Sequence, residues 1–269
     1  MTSGEERPCL KWQAWVLDKE WFSAAILLPD MKIVQSSDPL IASRLVKILS
    51  EIIKMNSGLF EPGISYSFST VSTFDHNWGM GSSSALMANL ARWAMIDPFD
   101  LFRRLNKGSG YDVAAAMAQG PILYSITRNK ARIIPVKFLP AFHQQIWFVY
   151  RGQKQDTERS LDEFSKIPEP TRQQIEMINY FTGELLHTKY LKQFMQIMSE
   201  HESFISDFLG RKTVKEEYFS DFNGEIKSMG AWGGDMMMAV SELPGDYIRT
   251  YFQTKDIQTV FDFHSLILS

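Results

Sequence analysis

Asn77-Trp78-Gly79-Met80-Gly81-Ser82-Ser83-Ser84-Ala85 is the stretch from which the fold of this chain can be read. It follows a predicted strand, Ile64 to Thr70, in which apolar residues alternate with serine. It opens a predicted helix that runs through Leu86, Leu90 and Trp93. A strand, a glycine–serine turn and a helix in this order present backbone N–H groups and the positive end of a helix to an anion. Glycine lets the backbone approach a ligand closely, and a serine hydroxyl can bind a phosphate oxygen or a metal ion. The turn is neither GxxxxGK[ST] nor a full GxGxxG, so it is neither a P-loop nor a dinucleotide fingerprint. The same residues also read as an ordinary tight turn with a serine N-cap.

Upstream of the turn, Leu10 to Val16 and Trp21 to Leu28 read as strands joined at Asp18-Lys19-Glu20. Ile41, Leu45, Ile48, Leu49, Ile52 and Ile53 recur at helical spacing, and Asn56-Ser57-Gly58 ends that helix. Downstream, Asp97-Pro98 starts a short helix, since proline suits the first helical turn. Lys107-Gly108-Ser109-Gly110-Tyr111-Asp112 then leads into the small-residue run Val113 to Ala118, which favours helix and close packing against a sheet. Strands follow at Ile122 to Ile126, Arg132 to Phe138 and Gln145 to Tyr150. Amphipathic helices follow at Thr171 to His187 and Tyr190 to Leu209. Glu225 to Met229 reads as a strand, Gly230 to Gly234 as a glycine turn, and Met236 to Val240 as a strand or a helix. Asp246 to Thr254 reads as a helix, and Thr259 to Phe263 as a closing strand. The predicted class is α+β in two halves, 1–142 and 143–269.

The 269 residues suffice for one large domain or two ordinary ones. A hydrophobic fraction of 45% with 22% charged residues describes a folded chain, not a disordered one. A net charge of −3 gives no electrostatic reason to expect a nucleic acid or an anionic membrane as partner. Any phosphate must therefore be held by local geometry. Cys9 is the only cysteine, which excludes an internal disulfide framework and thiolate-rich metal sites. The polar first residues and the lack of a long apolar run predict a cytoplasmic location.

One glycine–serine turn is a weak signal, but three glycine segments in a set order are stronger. Gly79-Met80-Gly81-Ser82-Ser83-Ser84, Ser109-Gly110-Tyr111-Asp112 and Gly230-Ala231-Trp232-Gly233-Gly234-Asp235 together resemble the signatures of the GHMP kinase superfamily. The Gly-Tyr-Asp-Val-Ala wording is most similar to its mevalonate and phosphomevalonate kinase branch. The resemblance implies an N-terminal half like domain 2 of ribosomal protein S5 and a ferredoxin-like C-terminal half. It also implies ATP, Mg²⁺ and a small-molecule alcohol such as mevalonate, and it admits a homodimer. Gly79, Gly81 and Ser82 would contact the β- and γ-phosphates, and Ser83 would help hold Mg²⁺. Asp112 would accept or orient the proton of the acceptor hydroxyl. Gly230, Gly233 and Gly234 would bring backbone against substrate or phosphates. Lys154 and Thr157, in a segment similar to a phosphomevalonate kinase loop, would hold an anionic substrate group. That segment also reads as a solvated loop capping a helix at Thr157. Tyr111 either lines the acceptor site or covers the small-residue helix, and Trp232 either stacks on a ligand or packs.

The chain departs from the family pattern in three places. No P-G-[KER]-x-x-L-x-G-E-[HY] strand motif precedes Trp12, so one or two strands and part of the acceptor pocket are expected to be missing. Where mevalonate kinases place a glutamate ligand for Mg²⁺ upstream of the aspartate, the segment Asp100 to Leu105 offers only Asp100. The proline usual before the phosphate turn is replaced near Asp75. A non-catalytic nucleotide- or metabolite-binding relative, or a kinase fragment, therefore stays open beside the kinase. The five histidines show no metal-ligand spacing, and surface or helix-end roles are expected for them. For His76, beside the turn, a structural role is expected. Ser82 to Ser84 do not form a GxSxG nucleophile elbow.

Overall fold

The computed structural model describes residues 7–128, 130–152, 166–230 and 235–267, and these form two compact units. Unit 1 comprises residues 1–76, 81–117 and 125–130, and unit 2 comprises residues 77–80, 118–124 and 131–269. Each is built around its own sheet. The class is α+β, as the sequence predicts.

In unit 1, strands β1 (Cys9–Val16), β2 (Lys19–Leu27), β3 (Lys32–Ser36) and β4 (Tyr66–Ser72) form a sheet in the order β3-β2-β1-β4. The β1–β2 connection is tighter than the sequence predicts. Leu17 and Asp18 take it alone, at φ 47° and 63°, while Lys19 and Glu20 already belong to β2. Two left-handed residues give the primed turn that matches the twist of paired strands. A register shift after Ala14 leaves Trp21 as the extra residue. Strand β4 starts two residues later than the serine alternation suggests. Its extent is set by the parallel ladder to β1, which runs from Leu10↔Tyr66 to Val16↔Ser72.

One face of this sheet is apolar because Leu10, Trp12 and Ala14 on β1, and Phe22, Ala24 and Ile26 on β2, are buried at every second position. Helix α1 (Pro39–Met55) lays Ala42, Leu45, Leu49 and Ile52 into the same core. Asp38 caps it by accepting the Leu40 and Ile41 N–H groups, and Pro39 opens its first turn. Helices α2 (Ser82–Trp93) and α3 (Pro98–Leu105) add Met87, Leu90, Ala91 and Leu101. Phe68 of β4 stacks on Trp12 at 5.4 Å and meets Trp93 edge-on at 4.7 Å, tying β1, β4 and α2 together. Helix α4 (Tyr111–Met117) packs chiefly on α2. A helix, not the predicted sheet, thus receives the small-residue run, whose alanines permit close approach.

Strands β5 (Ile122–Thr127) and β6 (Lys130–Pro135) pair as a two-stranded sheet. In unit 2, β7 (Ile146–Tyr150), β8 (Glu225–Ser228), β9 (Met236–Val240) and β10 (Val260–Asp262) form an antiparallel sheet ordered β10-β7-β9-β8. Counted along the chain this is 4-1-3-2, the ferredoxin-like arrangement. Helices α5 (Arg172–His187) and α6 (Leu191–Leu209) fill the β7–β8 connection, which also holds α7 (Val214–Tyr218). Helix α8 (Gly245–Thr254) joins β9 to β10, and α9 (Phe263–Leu266) ends the described chain. Strand β9 is buried at all five positions. Met237 and Ala239 face Phe219, Phe222, Ile248 and Phe252, whereas Met236, Met238 and Val240 face Phe142, Phe194, Met198 and Phe263. Cover on both faces explains why Met236 to Val240 shows no strand alternation in sequence. Among the described residues no helix is long and apolar enough to cross a membrane.

Helix α1 gives a direct check of the unit 1 core. Leu49→Ala, at a fully buried position, is expected to cost about 2–5 kcal/mol. Leu40→Ala, 76% exposed on the same helix, is expected to change stability by less than about 0.5 kcal/mol. Urea denaturation of the two variants reads the difference.

Candidate functional site

Unit 1 holds the helix end that the glycine–serine turn creates. Gly81 is the N-cap of α2 at φ 74° and ψ 30°, a left-handed conformation that side chains rarely adopt. No side chain caps the helix, so the alternative reading of the turn as a serine N-cap fails. The three serines instead form the first helical turn, and the intrahelical ladder begins with Ala85 N–H donating to Gly81 O at 2.9 Å. The backbone N–H groups of a first turn have no carbonyl partner within the helix. Here they carry the positive end of a helix of 12 residues. Ser83 is exposed, Ser82 half-buried and Ser84 buried, so Ser83 presents its hydroxyl to solvent most openly.

Asp112 is the second residue of α4, the helix packed on α2. Its side chain is half-buried, and burial raises its carboxyl above the ordinary carboxylate range, with a hydrogen bond from the Tyr111 side chain pulling the other way. Tyr111 itself is largely exposed. Asp100, the acid offered by sequence as a second Mg²⁺ ligand, lies exposed on α3 and is ion-paired with Arg103. The His76 ring packs against Trp21 at 4.5 Å, in keeping with a structural role.

The turn residues 77–80 belong to unit 2. Trp78 meets the Phe261 ring edge-on at 4.9 Å, and Trp78 and Met80 pack on the core formed by Phe148, Met236, Met238 and Phe263. Gly79, at φ 71°, lies against the Asp235 carboxylate, and a Cβ placed there would stand 2.5 Å from Asp235 Oδ2. Gly79 and Asp235, both in unit 2, are therefore neighbours. Gly230, at φ 62°, follows Met229, whose N–H donates to Met236 O at 3.0 Å. Gly233, Gly234, Trp232, Lys154 and Thr157 lie outside the described residues.

A buried charge cluster joins α6 to β8, and sequence reading missed it. Glu202 of α6 is 2% exposed. Its Oε2 accepts the Ser228 N–H at 3.1 Å, and its Oε1 accepts from Lys227 Nζ at 3.1 Å. Lys227 Nζ also lies 3.2 Å from His201 Nδ1. Strand β8 is a sheet edge, so Glu202 satisfies an N–H that the ladder leaves open, two residues before Gly230. Burial works to raise the Glu202 carboxyl, but His201, the Lys227 charge and the Ser228 N–H together hold it below its usual value. Burial lowers the Lys227 ammonium. Nothing in the sequence marked it, since Lys227 stands in a strand whose one apolar residue is Ile226.

No protein-family model matches the chain, and no curated protein is similar to it in sequence. Solved structures do match. Phosphomevalonate kinase of Streptococcus pneumoniae, in complex with phosphomevalonate and AMPPNP, is 14% identical, with a TM-score of 0.66 over 94% of this chain and 87% of that one. L. major mevalonate kinase in complex with R-mevalonate is 12% identical, with a TM-score of 0.60 over 95% and 85%. Lactococcus lactis galactokinase complexed with galactose is 11% identical, with a TM-score of 0.56 over 92% and 78%. The chain has the fold of the GHMP kinases.

Removal of one partner from the buried pair is expected to be costly. Glu202→Ala, which leaves Lys227 buried without its counter-charge, should lose about 3–5 kcal/mol in chemical denaturation. Glu202→Leu combined with Lys227→Met should recover most of that loss.

Proposed function

We propose that this protein is an ATP- and Mg²⁺-dependent small-molecule kinase of the GHMP type, acting on a hydroxyl of mevalonate or a related isoprenoid precursor. The observation that carries this reading is the first turn of α2. It is entered through left-handed Gly81, lacks a side-chain cap, and lies on a helix packed against the one that bears half-buried Asp112. The solved structures of the same fold, two of them mevalonate-pathway kinases by name, support the choice of acceptor. We assign residues 1–142 to the nucleotide-binding half and 143–269 to the ferredoxin-like half.

In this reading the amides of Gly79, Gly81 and Ser82, with the Ser82 hydroxyl, hold the β- and γ-phosphates. Ser83 offers an exposed hydroxyl, a hard oxygen donor of the kind Mg²⁺ accepts beside phosphate oxygens. When bound, Mg²⁺ neutralises charge on the transferring phosphoryl group. Asp112 accepts the proton of the acceptor hydroxyl as that oxygen bonds to the γ-phosphorus and the bond to ADP breaks. Burial suits it to this role by raising its affinity for a proton. Tyr111, whose side chain hydrogen-bonds Asp112, lines the acceptor site. Gly230, Gly233 and Gly234 bring backbone against substrate or phosphates, and Lys154 and Thr157 hold an anionic group of the acceptor.

Phosphorylation of a panel of alcohols, followed by mass spectrometry, tests the proposal. Asp112→Asn should lower kcat by about 10²–10⁴-fold with little change in KM for ATP. Unchanged turnover would reject Asp112 as the base. Nucleotide binding without turnover over the panel would favour the non-catalytic reading instead.

The same variant has a stability signature. The folded state holds the Asp112 proton more tightly than the unfolded chain does. That contribution is full below the unfolded carboxylate pKa and is lost as pH rises through the raised value. Asp112→Asn should therefore gain in Tm relative to the parent between pH 4 and pH 8, as thermal melts would show.

A further inference from the structure

We propose that Asp235 provides a carboxylate ligand for the divalent cation that accompanies the nucleotide, an assignment that rests on the kinase reading above. Its Oδ2 stands so close to Gly79 that a single added carbon there would approach it to 2.5 Å, with Cγ at 3.0 Å. Gly79 thus leaves room for a carboxylate to lie directly against the turn that is to hold phosphates. The carboxylate is held from a firm base. Asp235 Oδ1 accepts the Met236 N–H at 3.0 Å, and the Asp235 carbonyl accepts the Arg151 N–H at 2.8 Å. The next residue begins the fully buried strand β9.

No cation of the protein neutralises this acid among the described residues. The Arg151 guanidinium, nearest along the backbone pairing, lies over the Tyr218 ring at 4.2 Å. A carboxylate and a polyphosphate at one turn repel each other, and a divalent ion between them converts both into ligands. Magnesium is commonly held by one or two carboxylates together with substrate phosphates, not by an all-protein cage. Asp100, the other acid considered for this part, is ion-paired with Arg103. The rival explanation is that Asp235 serves only to accept the Met236 N–H. Asparagine would do that equally well.

Titration of AMPPNP into the protein by calorimetry, once with Mg²⁺ and once with EDTA, separates the two. Asp235→Asn should weaken binding of the magnesium complex by roughly tenfold or more, the scale on which ligand-shell changes alter metal affinity. It should leave metal-free AMPPNP binding unchanged or tighter, because a repulsive charge is gone. Mn²⁺ electron paramagnetic resonance with AMPPNP present should show the same loss of ion affinity. Asp235→Ser, which keeps an acceptor for the Met236 N–H, should repeat the pattern and replaces the first variant if that one misfolds. An equal effect with and without metal, or none in either, overturns the assignment while leaving the kinase reading in place. Failure of the parent protein to bind AMPPNP under both conditions overturns both.

Discussion

Two left-handed glycines in one short turn, Gly79 and Gly81, constrain most of what this chain can do. Gly81 bends the backbone into α2 without a side-chain cap, so that helix begins with its positive end uncovered. Gly79 accommodates a carboxylate where any side chain would collide with it. A β-carbon at either position would strain the turn, and at Gly79 it would also displace Asp235. The packing around the turn serves the same constraint. Trp78 and Met80 fasten one end to the core of unit 2, while Met87, Leu90 and Ala91 fasten the helix to the core of unit 1.

Charge is placed in this protein by burial and local geometry, not by an overall field. The net charge is close to zero relative to its 28 basic and 31 acidic residues. Asp112 holds its proton more tightly because it is half-buried, and Glu202 and Lys227 are kept as a pair inside unit 2. The buried pair does not merely add stability, since well-packed apolar replacements can do as well. What it supplies is a fixed acceptor for the Ser228 N–H at the open edge of β8, immediately before the third glycine segment.

Much of this was legible in sequence, for reasons that are local. Asp97-Pro98 and the Ile41 to Ile53 periodicity mark helices because caps, proline and 3.6-residue spacing act within a few residues. Gly79, Gly81, Gly110 and Gly230 were legible because left-handed backbone favours glycine. What was not legible depends on residues far apart in the chain. The limits of β4 follow from its ladder with β1, and the double burial of β9 follows from helices on both faces of its sheet. Glu202 meets Lys227 across 25 residues of chain, a separation no local pattern reveals. Asp235 was read as the tail of a glycine motif, and only the fold reveals its contact with Gly79.

The central claim is that the first turn of α2 grips the polyphosphate of a nucleotide. A crystal structure with AMPPNP and Mg²⁺ bound tests it most directly. The account predicts phosphate oxygens within hydrogen-bonding distance of the backbone N–H groups of Gly81 to Ser84. A nucleotide seated elsewhere, with those amides facing only solvent, would contradict it.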